Sequence, residues 1–188
     1  GEMAVAADRA CIQYRMLNVG KGPAVHSLRA QADRRRYQTI MKHTLELQEN
    51  LRVKQAEIVD INVEDGHVTG VVTATGATYA CRAAIVCTGT YLRGRVIIGD
   101  FLKDSGPDGV APAGPLTPRL AALGLNMRRF KTGTPPRVNR RTVDFSQMEI
   151  QPGDDIVVPF SFRTTNPPEN RAVCYLTYTS AKTHEIIR

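Results

Sequence analysis

Basic and small residues meet most densely at Arg129-Phe130-Lys131-Thr132-Gly133-Thr134-Pro135-Pro136-Arg137. Polar and basic side chains there surround one glycine and two prolines. Such a loop is stiff, rich in donors and exposes backbone N–H groups, so it suits a phosphate or another anion. A second turn of this kind is Leu17-Asn18-Val19-Gly20-Lys21-Gly22-Pro23-Ala24-Val25, followed by Leu28-Arg29-Ala30-Gln31-Ala32-Asp33. A third small-residue corner, Thr88-Gly89-Thr90, ends the apolar run Ala83-Ala84-Ile85-Val86-Cys87. The formal charge of the chain is +7, and ten basic residues face only three acidic ones between Arg93 and Arg141. That concentration suits a polyanion, either a cofactor pyrophosphate or a nucleic acid. A solvated basic face stands beside it as the plainer reading.

Several chemistries find no support. The four cysteines, Cys11, Cys81, Cys87 and Cys174, form no C-x-x-C pair, which argues against a zinc knuckle. The histidines His26, His43, His67 and His184 lack metal-ligand spacing, so no metal site is expected and each reads as a surface or capping residue. No apolar run approaches the roughly 20 residues that cross a bilayer. The first residues, Gly1-Glu2-Met3-Ala4, have no signal-peptide pattern, and a cytoplasmic location is expected. They also lack an initiator Met, a hint that the chain is a piece of a longer one.

The elements that must position these groups follow from periodicity. Residues 3–10 read as the end of a helix and residues 13–18 as a short strand. Residues 24–49 read as one long helix, with Val25, Leu28, Tyr37, Ile40, Met41 and Leu45 on its apolar face. Residues 51–56 lead into a strand at Ile58–Val63, then Asp65-Gly66 turns into Val68–Ala74 and Thr75-Gly76 into Thr78–Arg82. Ala83–Cys87 is continuously apolar, as in a parallel strand covered on both faces. Ligands of doubly wound sheets sit beyond such strand ends. A glycine there lets the main chain approach a ligand without a Cβ clash. No G-x-G-x-x-G is present, so the element that usually cradles the pyrophosphate is missing. Further on, Thr117, Pro118 and Gly124 read as cap, first turn and stop of a short helix. A strand is expected near Ile156–Phe162 and another over Arg171–Thr179, and Ser180 is expected to cap a final helix.

Taken in order, Asn18–Asp33, the Asp60–Gly70 meander, Thr88-Gly89-Thr90 with Leu92-Arg93-Gly94, Lys131–Arg137, Arg141-Thr142 with Asp144-Phe145, Tyr178-Thr179 and Thr183–Ile187 resemble one family. It is the MnmG (GidA) family of flavoproteins, which modify the wobble uridine of tRNA. The resemblance runs over essentially the whole chain and implies an internal portion of such a protein, lacking both ends. The implied fold is α/β, a partial FAD-binding Rossmann-like (two-dinucleotide-binding flavoprotein) fold with a small antiparallel meander. Residues 1–138 would be the later part of the FAD domain, and 139–188 the start of an inserted α/β, NADH-side domain. The implied activity installs a carboxymethylaminomethyl or aminomethyl group on uridine C5, together with the GTPase MnmE. Its one-carbon unit would come from methylene-tetrahydrofolate, its amine from glycine or ammonium, and NADH would reduce the FAD. The parent is expected to be a homodimer.

The resemblance also assigns expected roles. Asn18, Lys21, Gly22 and Pro23 would lie near the flavin ring, Ile58 would meet the adenine end of FAD through its main chain, and Thr88, Gly89 and Thr90 would line the cofactor. Lys21 would stabilise negative charge on a reduced flavin, with a solvent-exposed turn lysine as the simpler alternative. Arg128, Arg129, Lys131 and Arg137 are candidate tRNA phosphate contacts, with salt bridging at a domain interface as the alternative. Gly20 and Ala113 depart from the family pattern, so neither is assigned as a ligand. No catalytic residue is expected within the chain, because neither Cys81 nor Cys174 matches the family's catalytic cysteines. By itself the chain is expected to bind FAD weakly or not at all and to catalyse nothing. Two other readings remain, a folate- and FAD-dependent tRNA uracil methyltransferase and a non-enzymatic basic RNA-binding module. The low aromatic share, 6% with no Trp, argues against the second.

Overall fold

The computed structural model describes residues 1–133 and 135–188. In chain order the elements are helix α1 (Glu2–Arg9), strands β1 (Cys11–Leu17) and β2 (Ser27–Ala32), helix α2 (Arg34–Glu46), and strands β3 (Ile58–Glu64), β4 (His67–Thr73) and β5 (Thr78–Ala80). Then come β6 (Arg95–Ile98), β7 (Phe101–Asp104), α3 (Leu116–Ala122), β8 (Glu149–Gln151), β9 (Cys174–Leu176) and α4 (Ala181–Ile187). They form two compact units, Gly1–Val53 with Pro135–Arg188, and Lys54–Thr134. The return of residues beyond 135 to pack with the first 53 has no signature in the sequence.

The first unit is built on an antiparallel ribbon, β1 against β2, with Leu17 opposite Ser27 and Cys11 opposite Ala32. Here the expected helix over 24–49 is corrected. Residues 27–32 are a strand, and the helix begins only at Arg34, where the Asp33 carboxylate accepts the Arg36 amide at 3.0 Å. Leu28, Ala30 and Gln31 favour helix locally, but pairing with β1 supplies their backbone partners and wins. The other edge of β1 is closed by loops. Asp154 N–H donates to the Tyr14 carbonyl at 2.9 Å, and Arg171 N–H to that of Ile12 at 2.8 Å. The Tyr14 amide donates to Asn170 Oδ1 at 2.7 Å, and the Met16 amide to Asp154 Oδ2 at 2.6 Å. Ala6, Ala10, Cys11 and Tyr14 are buried together with Asp8.

Asp8 is the polar centre of this core. Its Oδ1 accepts the Tyr14 hydroxyl and the Phe160 amide (2.9 Å); its Oδ2 accepts the Ser161 amide (3.0 Å) and the Thr164 hydroxyl (2.5 Å). Burial by itself would raise the Asp8 pKa. The bonds from Thr164, Tyr14 and the two amides outweigh it and hold the carboxyl below the ordinary range. Burial, with Asp8 adding to it, pushes Cys11 up to about 11 and raises Tyr14 further. The strand expected near 156–162 is absent. That stretch is the loop clamped by Asp8, and the local sheet is instead β8 paired with β9. Helix α4 begins as expected at Ser180, whose side chain and that of Thr183 form a reciprocal cap.

The second unit contains the expected meander, β3–β4–β5, all antiparallel. Helix α3 packs on β3 through buried Leu116 and Leu120, and Arg119 pairs with Asp60 at 3.3 Å. This helix starts at Leu116 rather than after Thr117, so Thr117 Oγ1 lies inside without a hydrogen-bond partner among the described residues. A second hairpin, β6–β7, runs from Arg95 to Asp104. The doubly covered strand expected at 83–87 is also corrected. These residues belong to no strand, and Ile85 is 90% exposed. Their backbone groups meet no strand among the described residues, so the apolar run has nothing here to cover it.

Candidate cofactor loop, glycine corner and basic stretch

In the first unit, Asn18, Lys21, Gly22 and Pro23 are brought together in the loop that joins β1 to β2. Two short turns, Val19–Lys21 and Pro23–Val25, flank Gly22. Asn18 takes the left-handed conformation (φ 61°), which a short amide side chain tolerates. Gly22 has φ 93° and ψ 155°, a region essentially confined to glycine, and a Cβ there would meet nothing within 4 Å. The loop therefore turns on glycine for conformation, and its outer face is open. The Lys21 amide donates to the Asn18 carbonyl at 2.9 Å. The loop is tied at its neck by two crossing bonds, Asn18 Nδ2 to the Val25 carbonyl at 3.2 Å and His26 Nε2 to the Val19 carbonyl at 3.3 Å. Lys21 is exposed and forms no ion pair among the described residues. Its ammonium is available to an anionic ring edge or to solvent.

In the second unit, Thr88, Gly89 and Thr90 form an open corner. The Tyr91 amide donates to the Thr88 carbonyl at 3.0 Å. Gly89 is exposed and has φ 52°, and the nearest atom to an added Cβ is a Tyr91 ring carbon at 4.0 Å. The residues after Thr90 are held firmly. Tyr91 and Arg93 exchange backbone bonds with Ala113, at 2.9 and 3.1 Å. Gly94 packs so closely that a Cβ would lie 2.6 Å from the Ser105 carbonyl oxygen and 2.8 Å from that of Thr90. Ile58 stands at the start of β3, opposite Thr73.

The basic candidates divide in two. Arg129 sends both terminal guanidinium nitrogens to the Arg93 carbonyl, each at 3.2 Å, so it braces the left-handed Arg93 (φ 44°) behind the corner. Arg128 and Lys131 in the second unit, and Arg137 in the first, are exposed and form no ion pair among the described residues. Nearby, Arg95 hydrogen-bonds Asp104 at 2.8 Å and holds that carboxyl below its usual range. Thr134 lies outside the described residues.

Sequence reasoning missed the Asp8 cluster and the role of His26. A lone Asp near a helix end and a His after a Pro-Ala-Val turn carry no periodic signal. It also missed an open cleft of about 1130 Å³ in the first unit, beside the Phe145–Tyr175 ring pair, whose centroids lie 4.4 Å apart. No helix among the described residues is long and apolar enough to cross a membrane. No cluster of three or more His, Cys, Asp or Glu among them could hold a metal ion.

The family model described as glucose inhibited division protein A matches residues 1–188. A Clostridium botulinum (strain Okra / Type B1) protein named tRNA uridine 5-carboxymethylaminomethyl modification enzyme MnmG is 56% identical over 187 residues. The protein of that name from Caldicellulosiruptor saccharolyticus is 55% identical over 188 residues. Both alignments take in 100% of this chain, which spans about 30% of the length of these proteins. The structure of Aquifex aeolicus GidA in its form I crystal superposes with a TM-score of 0.92 at 45% identity, over 100% of this chain and 32% of that one. These matches and the small antiparallel sheets agree with part of an FAD-binding α/β fold. The chain belongs to the glucose inhibited division protein A (GidA) family.

Proposed function

We propose that this chain is part of an FAD-dependent enzyme that adds a carboxymethylaminomethyl or aminomethyl group to C5 of a tRNA wobble uridine. The observation that carries this reading is the unbroken match over all 188 residues to a family whose members bear that name. In this reading residues 1–138 belong to a Rossmann-like FAD domain and residues 139–188 to an inserted, NADH-side domain. The exposed Ala83–Cys87 run suits the interior of a larger sheet than the one formed here. The enzyme works in the cytoplasm as a homodimer with the GTPase MnmE, and draws on methylene-tetrahydrofolate, glycine or ammonium, and NADH.

The residues present fit part of a flavin site. The open faces at Gly22 and Gly89 admit close approach by a flat ring or a pyrophosphate, and Lys21 brings a cation with no ion pair among the described residues. The G-x-G-x-x-G pyrophosphate cradle is not among these residues. Bound FAD supplies two-electron redox chemistry. The chain's own residues bind and orient it: Thr88–Thr90 line it, Ile58 meets its adenine end through the main chain, and Asn18, Gly22 and Pro23 shape the turn at its ring. Lys21 holds positive charge where a reduced flavin is negative. Arg128, Lys131 and Arg137 anchor tRNA phosphates without reading sequence, and Arg129 joins them from the carbonyl it braces.

The test is to express the protein from its natural gene boundaries and record its visible spectrum, then assay wobble-uridine modification with MnmE present. A flavin band and a carboxymethylaminomethyl or aminomethyl product are expected. A folded product without flavin overturns the reading, and a methylated uridine moves it to the methyltransferase alternative.

A further inference from the structure

We infer that His26 is a positioning residue for the Lys21 loop, acting with Asn18 as a crossed clasp that holds the loop in its binding shape before any ligand arrives. The inference rests on the flavin reading of this loop and adds a residue to which that reading gives no role. The loop springs from the last pair of the ribbon, Leu17 opposite Ser27. Beyond that pair no ladder bond holds it. What closes it instead is reciprocal: residue 18 bonds the carbonyl of residue 25 at 3.2 Å, and residue 26 bonds the carbonyl of residue 19 at 3.3 Å. A carbonyl only accepts, so His26 is the donor, through Nε2–H. The two bonds straddle Lys21 and Gly22 and fix the ends of both short turns. Without them, Gly22 would let the loop sample many conformations, and a ligand would bear the cost of ordering it. His26 is exposed, so replacing it leaves the buried core intact.

The experiment uses the protein expressed from its natural gene, with FAD as the probe. His26→Ala should weaken FAD binding several-fold and shift the flavin absorption band, while His26→Gln, which keeps an N–H donor at similar reach, should restore both to within about twofold. Asn18→Asp keeps a residue that tolerates the left-handed conformation but cannot donate, and should behave like His26→Ala. Amide exchange at Lys21 and Val25, measured without FAD, should quicken in His26→Ala and Asn18→Asp and stay slow in His26→Gln. Unchanged FAD affinity, band and exchange in His26→Ala overturn the inference, as does failure of Gln to rescue. If the unsubstituted protein folds but carries no flavin, the flavin reading itself falls, and the ligand role of the clasp falls with it. If that protein binds flavin and the variants match it, only the clasp falls.

Discussion

Asp8 offers the sharpest energetic prediction. Each of its oxygens accepts one hydroxyl and one backbone amide: Tyr14 and Phe160 on Oδ1, Thr164 and Ser161 on Oδ2. In Asp8→Asn one oxygen survives, whichever way the amide flips. The new NH₂ then faces one hydroxyl and one amide. The hydroxyl can rotate and accept, but the amide cannot, so one buried N–H is left without a partner. A penalty of about 1–2 kcal/mol for that group, with about 1 kcal/mol more for the lost charge on the surviving bonds, gives about 2–3 kcal/mol. Asp8→Ala strips both pairs and should cost about 3–5 kcal/mol. Hydrogen exchange over residues 158–165 reads this locally. Asp8→Asn should speed exchange by roughly 30- to 150-fold, at about 1.4 kcal/mol per decade. The pH dependence has a definite sign. The folded pKa is depressed, so the stabilisation is complete above the unfolded value of about 3.9 and fades as pH falls through the folded one. The gap between the native protein and Asp8→Asn should therefore close below about pH 4. If Asp8→Asn changes exchange by less than about twofold at pH 7, or if Asp8→Ala is no worse than Asn, the account of this cluster is wrong.

The remaining predictions concern the corner, the basic stretch and the last helix. Gly94→Ala would press a methyl group against two carbonyl oxygens and should cost about 2–3 kcal/mol, read as a lowered thermal midpoint; an unchanged midpoint would mean that the corner yields easily. Arg128→Ala, Lys131→Ala and Arg137→Ala should each weaken tRNA binding uniformly across sequences and reduce the log–log salt slope by roughly 0.7–0.9; an unaltered slope removes that residue from the phosphate contacts. Ser180→Ala deletes one half of the reciprocal cap and should cost about 1 kcal/mol, seen as roughly fivefold faster exchange in residues 181–187.

Local chemistry in the sequence determined the elements whose signals lie within a few residues. Asp65-Gly66 and Thr75-Gly76 announced the meander because their turns need positive φ, and Ser180 with Thr183 announced the last helix because a cap is a four-residue event. The turn at Gly20 to Pro23 and the corner at Gly89 were legible for the same reason, since glycine marks left-handed backbone, whereas Asn18, read as the end of the strand, is left-handed (φ 61°) just beyond it. Tertiary structure decided the rest. Residues 27–32 have the composition of a helix and became a strand only because β1 offers backbone partners. The 83–87 run has the composition of a buried strand and stays exposed because the described residues supply no neighbouring strand. The Asp8 cluster joins positions more than 150 residues apart, and Arg129 closes on a carbonyl 36 residues away. Such pairings depend on where the folded chain returns in space, and no periodicity or local motif encodes that.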